Sequence, residues 1–258
     1  MADLKVSVAG VEFHNPLIAA SGTFGFGREY AEFYPLSALG GISSKGITLK
    51  ARPGNPAPRI AEAPGGMLNA VGLQNPGVDH FIEKDLPWLR EQGVTIIANI
   101  AGNTPEDYCA MAEKLNDTDI DMIEMNISCP NVKQGGVQFG TSCAGVEDIT
   151  KAVRAHCKKP LMVKLSPNVT DISEIALAAE SAGADAVSMI NTLTGMRIDI
   201  NTKRPIIHNN TGGFSGPALL PIAVRMVWQT YQKVKIPIVG LSLIHISEPT
   251  RPPYISYA

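Results

Sequence analysis

Short apolar runs recur along this chain, and most are separated by stretches long enough for a helix. The runs are Pro16–Ala20, Gly41–Ile47, Thr95–Ile100, Met122–Ile127, Leu161–Leu165, Ala186–Ile190 and Ile236–Gly240. They are continuous rather than alternating and rich in Ile, Val and Met, as strands covered on both faces are. Ahead of them, Leu4 to Phe13 alternates around Ala9-Gly10 and predicts a hairpin. Three helix starts stand out. Thr104-Pro105-Glu106-Asp107 offers a cap residue, a proline at the first position and acids in the first turn. Asp171-Ile172-Ser173-Glu174 has capping-box spacing, and its helix runs to Ala182-Gly183. Pro217 opens a third, to about Lys233. Seven βα-type units predict an α/β fold, either a (β/α)8 barrel or a doubly wound sheet. No Gly-x-Gly-x-x-Gly follows a strand, which disfavours the dinucleotide-binding form of the latter.

The polar residues that interrupt these runs favour the barrel. They are Lys45, Asn99, Asn126, Lys164 and the pair Asn191-Thr192, each at or near the end of its run. In a barrel all strand ends of one sense meet at one mouth, where active sites sit. A lysine inside apolar sequence needs an anionic or electron-rich partner. The fourth run leads into the most distinctive stretch, Glu124 to Gly136. Cys129 stands directly before Pro130, which ends the strand there, and Gly135-Gly136 gives the following loop freedom to close as a lid. From these residues alone, Cys129 reads equally as a buried inert thiol or as a catalytic group at a strand exit.

Composition narrows the classes. The 258 residues are 45% hydrophobic and 18% charged with a net charge of −2, which suits one soluble domain and speaks against a nucleic-acid footprint. No apolar run approaches the ~18 residues of a membrane helix. The N-terminus has no signal-peptide core, so a cytoplasmic protein is expected. The four cysteines, Cys109, Cys129, Cys143 and Cys157, form no Cys-x-x-Cys pair. A disulfide framework, a metal site or an iron–sulfur site built by this chain alone is therefore not expected, and the other three cysteines read as structural.

The last segment breaks the pattern. After Gly240 come three prolines within residues 249–253 and no helical period, so no barrel helix can follow. The stretch 241–251 resembles the translation of a sequencing-library adapter.

With these pieces placed, residues 1 to about 240 resemble class 1 dihydroorotate dehydrogenases, and among them the NAD-linked subclass 1B catalytic subunit. The most specific motif is Asn126-Ile127-Ser128-Cys129-Pro130-Asn131-Val132-Lys133-Gln134-Gly135-Gly136. Supporting motifs are 20–25, Ser44-Lys45-Gly46-Ile47-Thr48, 69–77, Val163-Lys164-Leu165-Ser166-Pro167 and 212–216. The resemblance implies a (β/α)8 TIM barrel with an N-terminal hairpin that oxidises (S)-dihydroorotate to orotate in pyrimidine biosynthesis, with FMN as hydride acceptor. It implies Cys129 as the base and Lys45 between flavin and substrate. Asn69, Gly72, Leu73, Asn126, Asn191 and Thr192, with Lys45, would hold the substrate. Ser21, Lys45, Gly46, Asn99, Asn126, Lys164, Ile190 and Gly216 would hold FMN, with Lys164 at the N1/C2 edge where positive charge favours the reduced ring. A partner subunit would carry FAD and a [2Fe–2S] cluster and pass electrons to NAD+, in an assembly of two catalytic and two electron-transfer subunits.

The chain departs from the family after strand seven. Only Gly240 remains of the phosphate-binding turns, so the expectation is an FMN-binding barrel over 1–240 lacking helix seven and unit eight, a non-native tail over 241–258, and a weakened hold on FMN. Other readings stay open here: a dihydropyrimidine dehydrogenase-type flavin barrel, a tRNA-dihydrouridine synthase, or an inactive fragment.

Overall fold

A computed structural model describes residues 3–127 and 139–240. All seven apolar runs become strands of one sheet: β1 Ile18–Ala19, β2 Gly41–Ser43, β3 Thr95–Ile100, β4 Met122–Asn126, β5 Leu161–Lys164, β6 Ala186–Met189 and β7 Ile238–Gly240. Their order in the sheet is β7-β6-β5-β4-β3-β2-β1, and every neighbouring pair is parallel. Strictly sequential order decides between the two architectures. A doubly wound sheet reverses its strand order at a switch point, whereas a barrel wall winds in one direction. The curled sheet is a barrel wall of seven strands, with β1 and β7 as its edges among the described residues.

Around it lie α1 Leu86–Glu91, α2 Pro105–Asn116, α3 Cys143–His156, α4 Ile172–Ser181 and α5 Leu220–Tyr231. From α2 to α5, each packs on the next. Two starts follow the sequence reading closely. Thr104 Oγ1 accepts from the Asp107 amide at 3.3 Å, and Asp171 Oδ1 accepts from the Ser173 amide at 2.9 Å. The third differs. Pro217–Leu219 forms only a 3-10 turn, and the α-helix begins at Leu220 with Pro221 in its first turn. A second proline lacks the N–H that a continuing helix would use, so the regular helix restarts there.

Strand side chains alternate between faces, so residues two apart share the barrel interior. At the lower, N-terminal level the interior holds Ile97, Met122, Met162, Ala186 and Val239, packed with Val8 and Phe13 of the predicted hairpin, Val6–Val8 and Val11–Phe13. The hairpin thus closes the N-terminal mouth with apolar side chains. One layer up, the interior turns polar: Asn99, Glu124, Lys164 and Ser188, all buried.

A second sheet was not foreseen from the sequence. It orders Leu193–Met196, Thr211–Ser215, Gly66–Asn69 and Ile60–Ala63 as antiparallel neighbours. Its strands lie in the chain after β2 and after β6, on the side where the barrel strands end. Cys129 and the Gly135-Gly136 loop lie outside the described residues, as does the tail 241–258. No helix among the described residues is long and apolar enough to cross a membrane, and no cluster of metal-ligating side chains occurs among them.

Candidate active site

The C-terminal ends of the strands bring most of the predicted site residues together. Lys164, the last residue of β5, is 7% exposed, and its ammonium donates to Ser21 Oγ at 3.3 Å. Asn126, the last residue of β4, accepts from Asn191 Nδ2 at 3.4 Å. The Tyr108 hydroxyl on α2 donates to the Asn126 carbonyl at 2.9 Å and fixes the strand end. Asn191 Oδ1 in turn accepts from the Thr192 amide at 2.8 Å, and Asn168 Nδ2 donates to the Thr192 carbonyl at 3.1 Å. Ile190, at the exit of β6, is buried beside them in sequence.

A second group gathers around Gly46, where β2 has ended. A Cβ on Gly46 would lie 3.1 Å from Asn99 Oδ1 and 3.2 Å from Leu73 Cδ2, so only glycine leaves that surface open. Asn69 Nδ2 donates to the Gly213 carbonyl at 3.4 Å, and Gly213 sits so close to Thr192 that any side chain there would overlap it. The two groups therefore meet through the unforeseen sheet. Gly72 and Gly216 do not join either group directly. Gly72 faces the Asn55 amide, and Gly216 backs onto the Gly65–Gly66 backbone.

Three features show what this mouth can hold. Lys164 is buried without an ion pair among the described residues, and a buried ammonium demands compensating negative charge or strong acceptors. Lys45 is half-buried, and burial first and the neighbouring Arg59 second pull its ammonium below the ordinary lysine value. Asn99 Oδ1 is fully buried with no hydrogen-bond partner among the described residues. Two ammonium groups and an orphan acceptor match a ligand with an anionic, acceptor-rich ring that also carries an N–H. An isoalloxazine satisfies both demands, so the residues present fit FMN. A cavity of about 480 Å³ opens beside Lys45, lined by Gly25, Phe26, Arg52, Gln74 and Asn75 among others. It leaves out Lys164 and Asn191, so it is the outer flank of the mouth rather than its floor.

Two hubs lie outside the expected set of site residues. Asn75 uses its whole amide: Oδ1 accepts from the Thr48 and Gly77 amides at 3.1 and 2.9 Å, and Nδ2 donates to Thr48 Oγ1 and the Leu73 carbonyl at 2.8 and 2.7 Å. It ties the loop bearing Leu73 to the segment bearing Lys45, and holds Leu73 at φ +55, a left-handed conformation unusual for leucine. Glu124 on β4 is fully buried and accepts from Ser43 Oγ and Asn99 Nδ2, each at 2.5 Å, and from Ser188 Oγ at 2.6 Å. An acid inside the run Met122–Met125 was the available signal.

The sequence profile of the family described as dihydroorotate dehydrogenase matches residues 3–247. The chain belongs to the dihydroorotate dehydrogenase family. Among curated relatives it is 58% identical over 246 residues to "Dihydroorotate dehydrogenase B (NAD(+)), catalytic subunit" of Alkaliphilus metalliredigens, covering 95% of this chain and 82% of that protein. It is 56% identical to the protein of the same name from Bacteroides thetaiotaomicron, covering 93% and 80%. The resemblance to the NAD-linked subclass is thus borne out, since these dihydroorotate dehydrogenase relatives carry that subclass in their names. A crystal structure titled ligand-free type DHODH from Eimeria tenella superposes with a TM-score of 0.72 at 22% identity, covering 94% of this chain and 76% of that one, and supports the barrel fold.

Proposed function

We propose that this chain is the catalytic subunit of an NAD-linked dihydroorotate dehydrogenase, oxidising (S)-dihydroorotate to orotate in the cytoplasm. The observation that carries the reading is the pair of ammonium groups at one barrel mouth, Lys45 and Lys164, neither ion-paired among the described residues. Bound FMN would supply the hydride acceptor for the hydrogen leaving C6.

The chain's own residues divide the remaining work. Lys45 offers positive charge to the substrate carboxylate and to the edge of the ring system. Asn69, Asn126 and Asn191, with Thr192, present donors and acceptors to the pyrimidine edges, which carry both kinds of group. Gly72 and Leu73 shape the substrate loop, and Asn75 holds that loop to the Lys45 segment. Lys164 and Ser21 form one side of the flavin site, with Gly46, Asn99, Ile190 and Gly216 completing it. Cys129 is the base: its thiolate takes the C5 proton as the C5=C6 double bond forms. A thiol suits this step because an ordinary thiol pKa of ~8.5 can be brought towards working pH by nearby cations. Electrons leave through a second subunit carrying FAD and a [2Fe–2S] cluster, in a complex of two subunits of each kind. The "(NAD(+)), catalytic subunit" in the relatives' names supports a separate acceptor-reducing chain.

The test compares dihydroorotate with dihydrouracil as substrates, following flavin bleaching in the absence of oxygen. Dihydroorotate is expected to reduce the flavin and dihydrouracil to leave it oxidised; turnover of dihydrouracil alone would assign the barrel to dihydropyrimidine chemistry. In Cys129→Ala the flavin should stay bound and unreduced, and near-normal reduction there removes Cys129 as the base.

A further inference from the structure

The reaction as described leaves one buried acid unused. Glu124 lies wholly inside the barrel, and three neutral donors from three other strands converge on it: Ser43 on β2, Asn99 on β3 and Ser188 on β6. A carboxylate has only acceptors, and in all three contacts, at 2.5 to 2.6 Å, the partner is the donor.

That acceptor-only character has a consequence for Asn99. A side-chain amide has a donor end and an acceptor end, and its orientation is decided by its neighbours. Because Glu124 can only accept, the NH2 of Asn99 must turn to it, and Oδ1 must turn away. The backbone locks the rest of the residue: the Asn99 amide donates to Ser44 Oγ at 3.1 Å, and its carbonyl accepts from the Ile47 amide at 2.8 Å. Among the described residues Oδ1 is left buried and unpartnered, against the bare Cα of Gly46. An acceptor in that state can be answered only by a donor, and the oxidised flavin ring carries one, its N3–H.

We propose that Glu124 is a positioning residue for flavin recognition, holding the Asn99 amide so that Oδ1 accepts from the flavin N3–H. The inference rests on the flavin reading of this mouth. Glu124 touches neither flavin nor substrate; it acts through Asn99.

The experiment titrates the flavin-free full chain with FMN and with N3-methyl-FMN, following flavin fluorescence, and checks folding by circular dichroism. The wild-type chain should bind FMN about tenfold or more tightly than the methylated analogue, as expected for one buried hydrogen bond. Glu124→Gln frees the Asn99 amide to flip, so FMN affinity should fall about tenfold and the gap between the two flavins should close. The reversed pair Glu124→Gln with Asn99→Asp exchanges donor and acceptor, and should restore both the affinity for FMN and the rejection of the analogue. A merely structural role for Glu124 would leave the ratio between the two flavins unchanged in every variant. If Glu124→Gln does not fold, the reversed pair decides: a folded protein that discriminates supports the inference, while one that does not discriminate, or does not fold, overturns it. Unchanged FMN affinity and discrimination in a folded Glu124→Gln also overturns it. A wild-type chain that binds neither flavin overturns the flavin reading itself, and this inference with it.

Discussion

The two ends of the barrel are built from the same strands and solve opposite problems. On β5, Met162 and Lys164 are both buried inside the barrel wall, two residues apart. Met162 packs with Phe13 and Val8 in the hairpin plug, whereas Lys164 faces Ser21 at the open mouth. On β4 the same step leads from Met122 to Glu124 to Asn126. The lower end is filled with side chains that need nothing beyond one another. The upper end leaves an ammonium and an amide oxygen short of partners among the described residues, which is a cost in stability until a ligand arrives. Fold stability and ligand recognition are thus stacked along one axis rather than mixed.

That separation can be broken from either side. Removing the plug should have the largest effect. Phe13→Ala leaves a cavity in the apolar layer and should cost about 3–5 kcal/mol in urea unfolding. Flavin affinity of the molecules that remain folded should hold; a parallel loss of affinity would show that the two ends are one unit. Next comes Lys164→Met, which removes a buried charge. Unfolding stability should stay level or rise, since an apolar side chain needs no polar partner there. FMN binding should weaken at least tenfold, and retention of affinity would make Lys164 a structural residue.

Lys45 sharpens the comparison through pH. Its folded-state pKa lies below the unfolded 10.5, so the ammonium is disfavoured in the folded chain, and that cost is present at neutral pH. It is relieved as pH rises through the lowered value towards the unfolded one. Lys45→Met should therefore raise stability at pH 7, with a gain that vanishes at strongly alkaline pH, while flavin reduction by dihydroorotate slows. A gain that persists at high pH would assign the effect to packing.

The smallest effect belongs to the outer layer. The Asp171 cap is held down to about 2, first by the Ser173 hydroxyl and then by the Ser173 amide. Its contribution is present above the unfolded value and lost as pH falls to about 2. Asp171→Ala should cost about 1 kcal/mol near neutral pH, less in acid, and leave flavin binding untouched.

The barrel was legible because strands buried on both faces cannot hide their apolar runs, and sequential βα spacing leaves few topologies. The strand-end residues Lys164, Asn126 and Asn191 were legible as polar interruptions of those runs. The second sheet was not. Its strands, such as Gly66–Asn69 and Thr211–Ser215, are short, glycine-bearing and partly exposed, so they give no period to read. Asn75 was hidden by its setting in Asn-Pro-Gly, which reads as an ordinary turn. Glu124 was visible as an acid in an apolar run, but its meaning depends on Ser43, Asn99 and Ser188, which the chain brings together only after folding.

The hairpin plug also sets a timetable. Phe13 shares its cluster with Val239 of β7, so the hairpin is completed by a strand made only after the other six. At a synthesis rate of ~5–20 residues per second, Phe13 waits on the order of 10–50 s for that neighbour. Until β7 has been made, the nascent chain carries an aromatic side chain that lacks part of its final cluster.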